Sequence, residues 1–477
     1  MLRDYCCCCY GVGSSDSADV ADRDPVVLVS GIGGSILNSK RKKFGFETRV
    51  WVRILLADLE FKKKLWSIYN PETGYTEPLD DSTEIIVPQD DYGLYAIDIL
   101  DPSIVVKCLH LTDVYHFHDM IDMLVGCGYK KGTTLFGYGY DFRKAIEKLE
   151  AAYKASGGRK VNIISHSMGG LLVSCFISLH DDTIEMALMP SMWPACYRLL
   201  SVSSILAWAC CCKLPRNGWP FPWLHAVVAL CRGAPGCIND SILTGMQFVE
   251  GFESFFFVSR WSMHQLLVEC PSVYEMLPNP DFDWKKQPEI KVWRKHSNDG
   301  ETSVGLESYG RNDCVTLFEE ALKNNELNYD GKTVALPFNH AILKWAAGTR
   351  ELRNKTQLPK GVSFYNIYGT SFDTPFDVCY GSESSPIDEL SEICHTMPEY
   401  SYVDGDGTVP SESAKADSFD AVERVGVSAS HRGLLTDKNV FQLIQNWLGV
   451  SPKTKVKHSK TSKVMDANIN RSNGPWK

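Results

Sequence analysis

No stretch of about 20 uninterrupted apolar residues occurs in the 477-residue sequence, so a transmembrane helix is not expected. Nor does Met1–Tyr10 contain an apolar run of the length that a secretory signal needs, and the expected location is the cytoplasm, with peripheral contact to an intracellular membrane as an extension of that reading. A basic surplus is missing too. With 58 acidic against 49 basic residues the net charge is −9, which argues against nucleic acid as a partner, because phosphate attraction needs a basic surface. Internal repeats are absent, and so is any literal G-x-S-x-G.

Cysteine is the exception to this spareness. Seventeen are present, but many fall in two adjacent runs, Cys6–Cys9 and Cys210–Cys212, and adjacent cysteines make poor staples. A reducing compartment fits them better. The first run is open to two readings, S-acylation or an exposed tail. Hydrophobic residues at 44% and charged residues at 22% leave room for a substantial globular core.

The order of strand and helix signals predicts an α/β fold with a mostly parallel sheet covered on both faces. Pro25-Val26-Val27-Leu28-Val29 reads as a buried strand ended by the turn Gly31-Ile32-Gly33-Gly34-Ser35. Val161-Asn162-Ile163-Ile164 reads as a second strand that leads through Ser165-His166-Ser167-Met168-Gly169-Gly170 into a helix. Val362–Gly369 mixes β-branched and aromatic residues as a late core strand does. Val440, Phe441, Ile444, Trp447 and Leu448 recur at helical spacing on a closing helix. The expected organisation is an unstructured tail over 1–24, one α/β domain over 25–449 and a basic tail over 450–477. The tail's lysines are either simply solvated or lean on anionic lipid.

Chemistry points to Ser167. A serine hydroxyl needs a general base and a turn that lifts it clear of the backbone. The segment from Ser165 to Gly169 matches the nucleophile elbow in part: Gly169 keeps the second glycine and Ser165 replaces the first. An elbow serine predicts an acid and then a histidine downstream. Asp404-Gly405-Asp406-Gly407-Thr408-Val409-Pro410 offers two carboxylates, of which Asp406 is preferred because it leads straight into an apolar segment. A calcium loop needs further oxygen ligands and a distal Glu that this run lacks. His431 follows the acidic loop and directly precedes the final helix, whereas His458 lies in the basic tail. In this reading His431 takes the Ser167 proton and Asp406 fixes its tautomer. The oxyanion donors expected are the backbone N–H of Met168 and that of Ile32, with Gly33 second to Ile32.

These pieces together resemble the lecithin:cholesterol acyltransferase family and its plant-type phospholipase A branch. The resemblance rests on the early strand and Gly loop, Arg49-Val50-Trp51-Val52-Arg53, Phe136–Arg143, Ser165–Gly170, Arg232-Gly233-Ala234-Pro235-Gly236, Asp404–Pro410 and His431-Arg432-Gly433, and it spans roughly residues 25 to 449. It implies an α/β-hydrolase core with a cap and membrane-contacting insertions, acting on glycerophospholipids through an acyl-enzyme without metal or cofactor. Its triad falls on the same Ser167, Asp406 and His431. Two departures stand out. Secreted relatives close a lid loop with a disulfide, yet no Cys lies between residue 40 and Cys108, and the stretch after Arg143 is shortened.

Phospholipase A activity is the favoured function, acyl transfer to a sterol or lysolipid the second, and an inactive lipid-binding protein the third. Trp51, Leu55, Leu56, Phe61, Leu65 and Trp66 alternate with Arg53, Lys62, Lys63 and Lys64. That mixture suits contact of Trp51 and Trp66 with a membrane or substrate, or equally the packing of a cap. Residues 183 to 224, rich in Pro and Trp, read as an insertion outside the core: a gene-model artefact, a poorly ordered excursion or a membrane-dipping loop. Oligomeric state is not expressed in any of these patterns.

Overall fold

The computed structural model describes residues 23–43, 45–53, 57–103, 115–144, 161–179, 225–228, 232–245, 258–298, 301–359 and 361–452. Both expected tails, apart from residues 23, 24 and 450–452, and the expected insertion at 183–224 lie outside them.

A six-stranded sheet forms the centre. In chain order its strands are β1 (Val26–Val29), β2 (Leu135–Tyr138), β3 (Asn162–Ser165), β4 (His225–Val228), β5 (Ser363–Gly369) and β6 (Glu423–Val427). Their spatial order is β6-β5-β4-β3-β1-β2 and every pairing is parallel. Val29 pairs with Tyr138 on one side and Ser165 on the other, while Ser165 pairs with Val228, so these four strands end together at one edge. In an open parallel sheet the crevice beyond the carboxyl ends is where ligands bind.

Successive strand residues point to opposite faces, and both faces of β1 are buried. Val26 and Leu28 pack with Met120, Ile121 and Leu124 of α1 (His118–Gly126) and with Val440 and Ile444 of α3 (Lys438–Leu448). Val27 and Val29 pack on the opposite side with Leu172, Val173 and Ile177 of α2 (Met168–Leu179). This two-sided burial is why the early strand reads as a continuous apolar run. The closing helix follows its local signals. The Asp437 side chain accepts from the N–H of Asn439 at 2.7 Å and of Val440 at 3.1 Å, and Gly449 ends the helix with φ 63°.

Two further layers frame the site. Glu47–Trp51, Leu37–Arg41 and Thr83–Ile86 make a small antiparallel sheet after the β1 loop. Between β5 and β6 the chain leaves to complete a four-stranded sheet with Phe372–Tyr380 and Glu399–Gly405, joined by the hairpin Ile290–Asn298 and Glu301–Tyr309. Asp406 is carried out of this second sheet to the edge of the first. Among the described residues no helix is long and apolar enough to cross a membrane.

Candidate active site

The buried strand β3 ends at Ser165, and α2 starts at Met168, so only two residues make the turn. Ser167 takes φ 54°, the left-handed region that a non-glycine residue adopts only under constraint. A non-glycine residue in that conformation at a strand-to-helix corner is the geometry of a nucleophile elbow. Gly169 has a steric cause: a Cβ there would lie 2.4 Å from the Ser30 carbonyl oxygen and 2.9 Å from that of Val29. At the position of the first elbow glycine, Ser165 is 6% exposed, and its small side chain is tolerated.

The loop after β1 faces the same corner. A Cβ on Gly31 would meet the Ser167 Cβ at 2.8 Å, so the backbone of this loop passes directly beside Ser167. Side-chain contacts that hold the loop include the Ser30 and Ser35 hydroxyls at 2.7 Å, the Tyr140 N–H donating to Ser35 Oγ at 3.1 Å, and Trp51 Nε1–H donating to the Gly33 carbonyl at 2.8 Å. The Met168 N–H, first in α2, has no intrahelical acceptor. Ile32 lies in the loop that covers Ser167, with Gly33 following it at φ 68°.

Asp406 and His431 meet as the sequence expectation requires. Asp406 Oδ2 lies 2.7 Å from His431 Nδ1, and the His431 N–H donates to the Asp406 carbonyl, also at 2.7 Å. The other carboxylate oxygen, Oδ1, accepts from the N–H of Val409 at 2.7 Å and of Thr408 at 2.9 Å, a turn made by Gly407 at φ 86°. Burial tends to raise the Asp406 pKa, but the neighbouring His431 and these N–H bonds outweigh it and leave the group below its ordinary value. Gly369, the last residue of β5, is small for the same reason as Gly169, since a Cβ would lie 2.4 Å from the Asp406 Cβ.

Asp404 is placed elsewhere. Its oxygens accept from Ser411 Oγ at 2.6 Å and the Ser371 N–H at 2.7 Å, and it makes no bond to His431. Of the two carboxylates that spacing left open, Asp406 is the one on the imidazole.

Two histidines went unremarked in the sequence reading. His166 Nε2 lies 2.8 Å from the His431 carbonyl oxygen, and His116 packs edge-on against His166 with centroids 5.7 Å apart. Burial first, then the neighbouring His431, drives the His166 ring down to about 3; burial and His166 hold His116 well below its ordinary value. A histidine immediately before the elbow serine, Ser167, was the available signal.

Trp51 and Trp66 are 4% and 6% exposed and belong to the main core cluster. Trp66 Nε1–H donates to the Ser262 carbonyl at 3.3 Å. Neither ring is placed to enter a lipid surface, and the packing reading accounts for both. Leu55 and Leu56 lie outside the described residues; of the rest, Trp51 ends a strand, the helix Ala57–Lys64 carries Phe61 and the lysines, and Lys64 turns inward to Asp80 at 3.0 Å. Among the described residues no group of three or more His, Cys, Asp or Glu is placed to hold a metal ion.

A parallel sheet with a strained serine between strand and helix, and a paired Asp and His arriving after later strands, defines the α/β-hydrolase class. The chain belongs to the lecithin:cholesterol acyltransferase family, whose model matches residues 47–421. It is 64% identical to the Arabidopsis thaliana phospholipase A(1) LCAT3 over 474 residues, covering 97% of this chain and 99% of that protein. To the Arabidopsis lecithin-cholesterol acyltransferase-like 4 it is 47% identical over 440 residues, 90% of this chain and 76% of the other. The human lysosomal phospholipase A and acyltransferase is 28% identical over 181 residues, 32% of this chain and 41% of that protein.

Proposed function

We propose that this chain is a serine phospholipase A that cleaves a fatty acyl ester of a glycerophospholipid through an acyl-enzyme. The observation that carries the reading is the 2.7 Å contact between His431 Nδ1 and Asp406 Oδ2 beside a serine held at positive φ. In the proposed sequence Ser167 Oγ attacks the ester carbonyl while His431 Nε2 takes its proton. Asp406 holds Nδ1–H and stabilises the imidazolium. The Met168 and Ile32 N–H groups receive the oxyanion. Collapse expels the lysophospholipid alcohol, which takes the proton back from His431. Water then attacks the acyl-enzyme with His431 as base again, releasing the fatty acid and free Ser167.

Acyl transfer is the second reading, favoured by the human relative whose name carries both activities. It differs only in that an alcohol replaces water. The working surface is proposed to be that of an intracellular membrane facing the cytoplasm, where buried thiols such as Cys127 and Cys270 stay reduced. Purified protein given phosphatidylcholine with different acyl chains at its two positions, with and without sterol, tests the reading. Fatty acid released without sterol supports hydrolysis and identifies the position cut. Sterol ester formed with no fatty acid released supports transfer, and no acyl product of either kind contradicts both.

A further inference from the structure

His166 precedes Ser167 in the elbow, packs against His431 and has no role in the proton transfers above. Its ring is 6% exposed, and its centroid is 4.7 Å from that of His431. Nε2 faces a carbonyl oxygen, which only accepts, so the ring proton is on Nε2 and Nδ1 is bare. That bare nitrogen is buried with no hydrogen-bond partner, against Gly31, whose Cβ, if present, would come within 3.3 Å of it. An apolar ring of similar size would remove the orphaned nitrogen. What the imidazole adds is the single bond to His431.

The bonds at His431 show what that one contributes. Of the three among the described residues, two, from its N–H and its Nδ1, go to Asp406 and fix it relative to the loop leaving the second sheet. The third runs from His166, the residue before Ser167, and ties the same backbone to the elbow. His116 backs the ring from the far side, its own Nε2 pressed against Gly34, where a Cβ would lie 2.4 Å away. Held neutral by burial, His166 adds no positive charge beside His431 when that ring becomes imidazolium.

We propose that His166 is a positioning residue: by donating Nε2–H to the His431 carbonyl it clamps the catalytic base to the nucleophile elbow and keeps His431 Nε2 aligned with Ser167 Oγ. The proposal rests on the reading of His431 as the base. Because a displacement of about 1 Å in a reacting group costs on the order of 10²-fold, loss of the clamp falls on kcat and leaves KM nearly unchanged.

Two amide variants test it. Gln carries its side-chain nitrogen as far along the chain as His Nε2, whereas Asn reaches only to the place of Nδ1. With rates on phosphatidylcholine vesicles normalised to folded protein, His166→Gln should keep kcat within about tenfold of the wild type. His166→Asn should lose about 100-fold, with KM alike in both. Equal kcat for the two variants, or a loss expressed in KM, overturns the clamp. His431→Ala in the same assay separates the two levels: if it stays active, the base assignment fails and the clamp with it, whereas an inactive His431→Ala with equal Gln and Asn rates sinks the clamp alone. On the unmodified protein, histidine-selective 15N NMR at neutral pH should find His166 as the Nε2–H tautomer. The Nδ1–H tautomer overturns the proposal without any variant having to fold.

Discussion

Replacing Asp406 by Asn changes one atom, and the surrounding bonds dictate which way the amide turns. Oδ1 accepts from two backbone N–H groups, Val409 at 2.7 Å and Thr408 at 2.9 Å. An amide NH2 cannot take that position without facing two donors, so the Asn oxygen stays there and its nitrogen replaces Oδ2 against His431 Nδ1. The NH2 then donates to Nδ1, and the ring proton moves to Nε2. In that tautomer Nε2 has no lone pair for the Ser167 proton. The expected loss is about 10⁴-fold in kcat, or about 5.5 kcal/mol of barrier, with the fold and KM preserved. Asp404→Asn is the matched control. That exposed carboxylate accepts from Ser411 and Ser371, and its replacement should cost about fivefold at most. Initial rates of fatty-acid release from phosphatidylcholine vesicles measure both. Activity of Asp406→Asn within tenfold of the wild type, or a larger loss for Asp404→Asn, would refute the assignment of the acid.

Gly169→Ala should displace the elbow, because the new Cβ meets two backbone carbonyls and not flexible side chains. About 1 to 3 kcal/mol of stability and on the order of 10²-fold in kcat are expected to go, read from urea melts and vesicle assays. Acid should weaken the fold through histidines buried neutral. The His166 and His264 rings are lowered from 6.5 to about 3 and about 4, so below pH 6.5 the unfolded chain binds protons that the native state refuses. Their contribution is complete above 6.5 and is lost as pH falls toward the folded values. Together they should remove about 2 kcal/mol between pH 6 and pH 5, and urea melts showing no loss over that step would contradict the buried neutral state.

Much of the sheet edge that carries the candidate site was legible because its signals are local. β1 and β3 are buried on both faces and so read as apolar runs, and the elbow and the closing helix carry their turn and cap residues in sequence. The strand expected at Val362–Gly369 appears as Ser363–Gly369. The apolar segment that follows Asp406 favours it over Asp404, although both flank Gly405 on one loop. What separates them is the turn through Gly407, which sets the Asp406 carboxylate on two N–H groups and aims its second oxygen at His431. The second sheet was not foreseen. Its hairpin pairs with the strand Phe372–Tyr380, Ile290 lying opposite Val378, a long-range pairing that local periodicity does not encode. Alternating aromatic and basic residues from Trp51 to Trp66 suit a membrane surface and cap packing equally as a pattern; Trp51 ends a strand, Phe61 to Lys64 lie on a helix, Leu65 and Trp66 follow it, and Leu55 and Leu56 lie outside the described residues.

The central claim is that Ser167 carries the acyl group. Its most direct test is the initial rate of fatty-acid release from phosphatidylcholine vesicles by Ser167→Ala relative to the wild type, on protein shown to be folded. A fall on the order of 10⁶-fold, to the level of the background, is predicted; a rate within tenfold of the wild type would contradict the account.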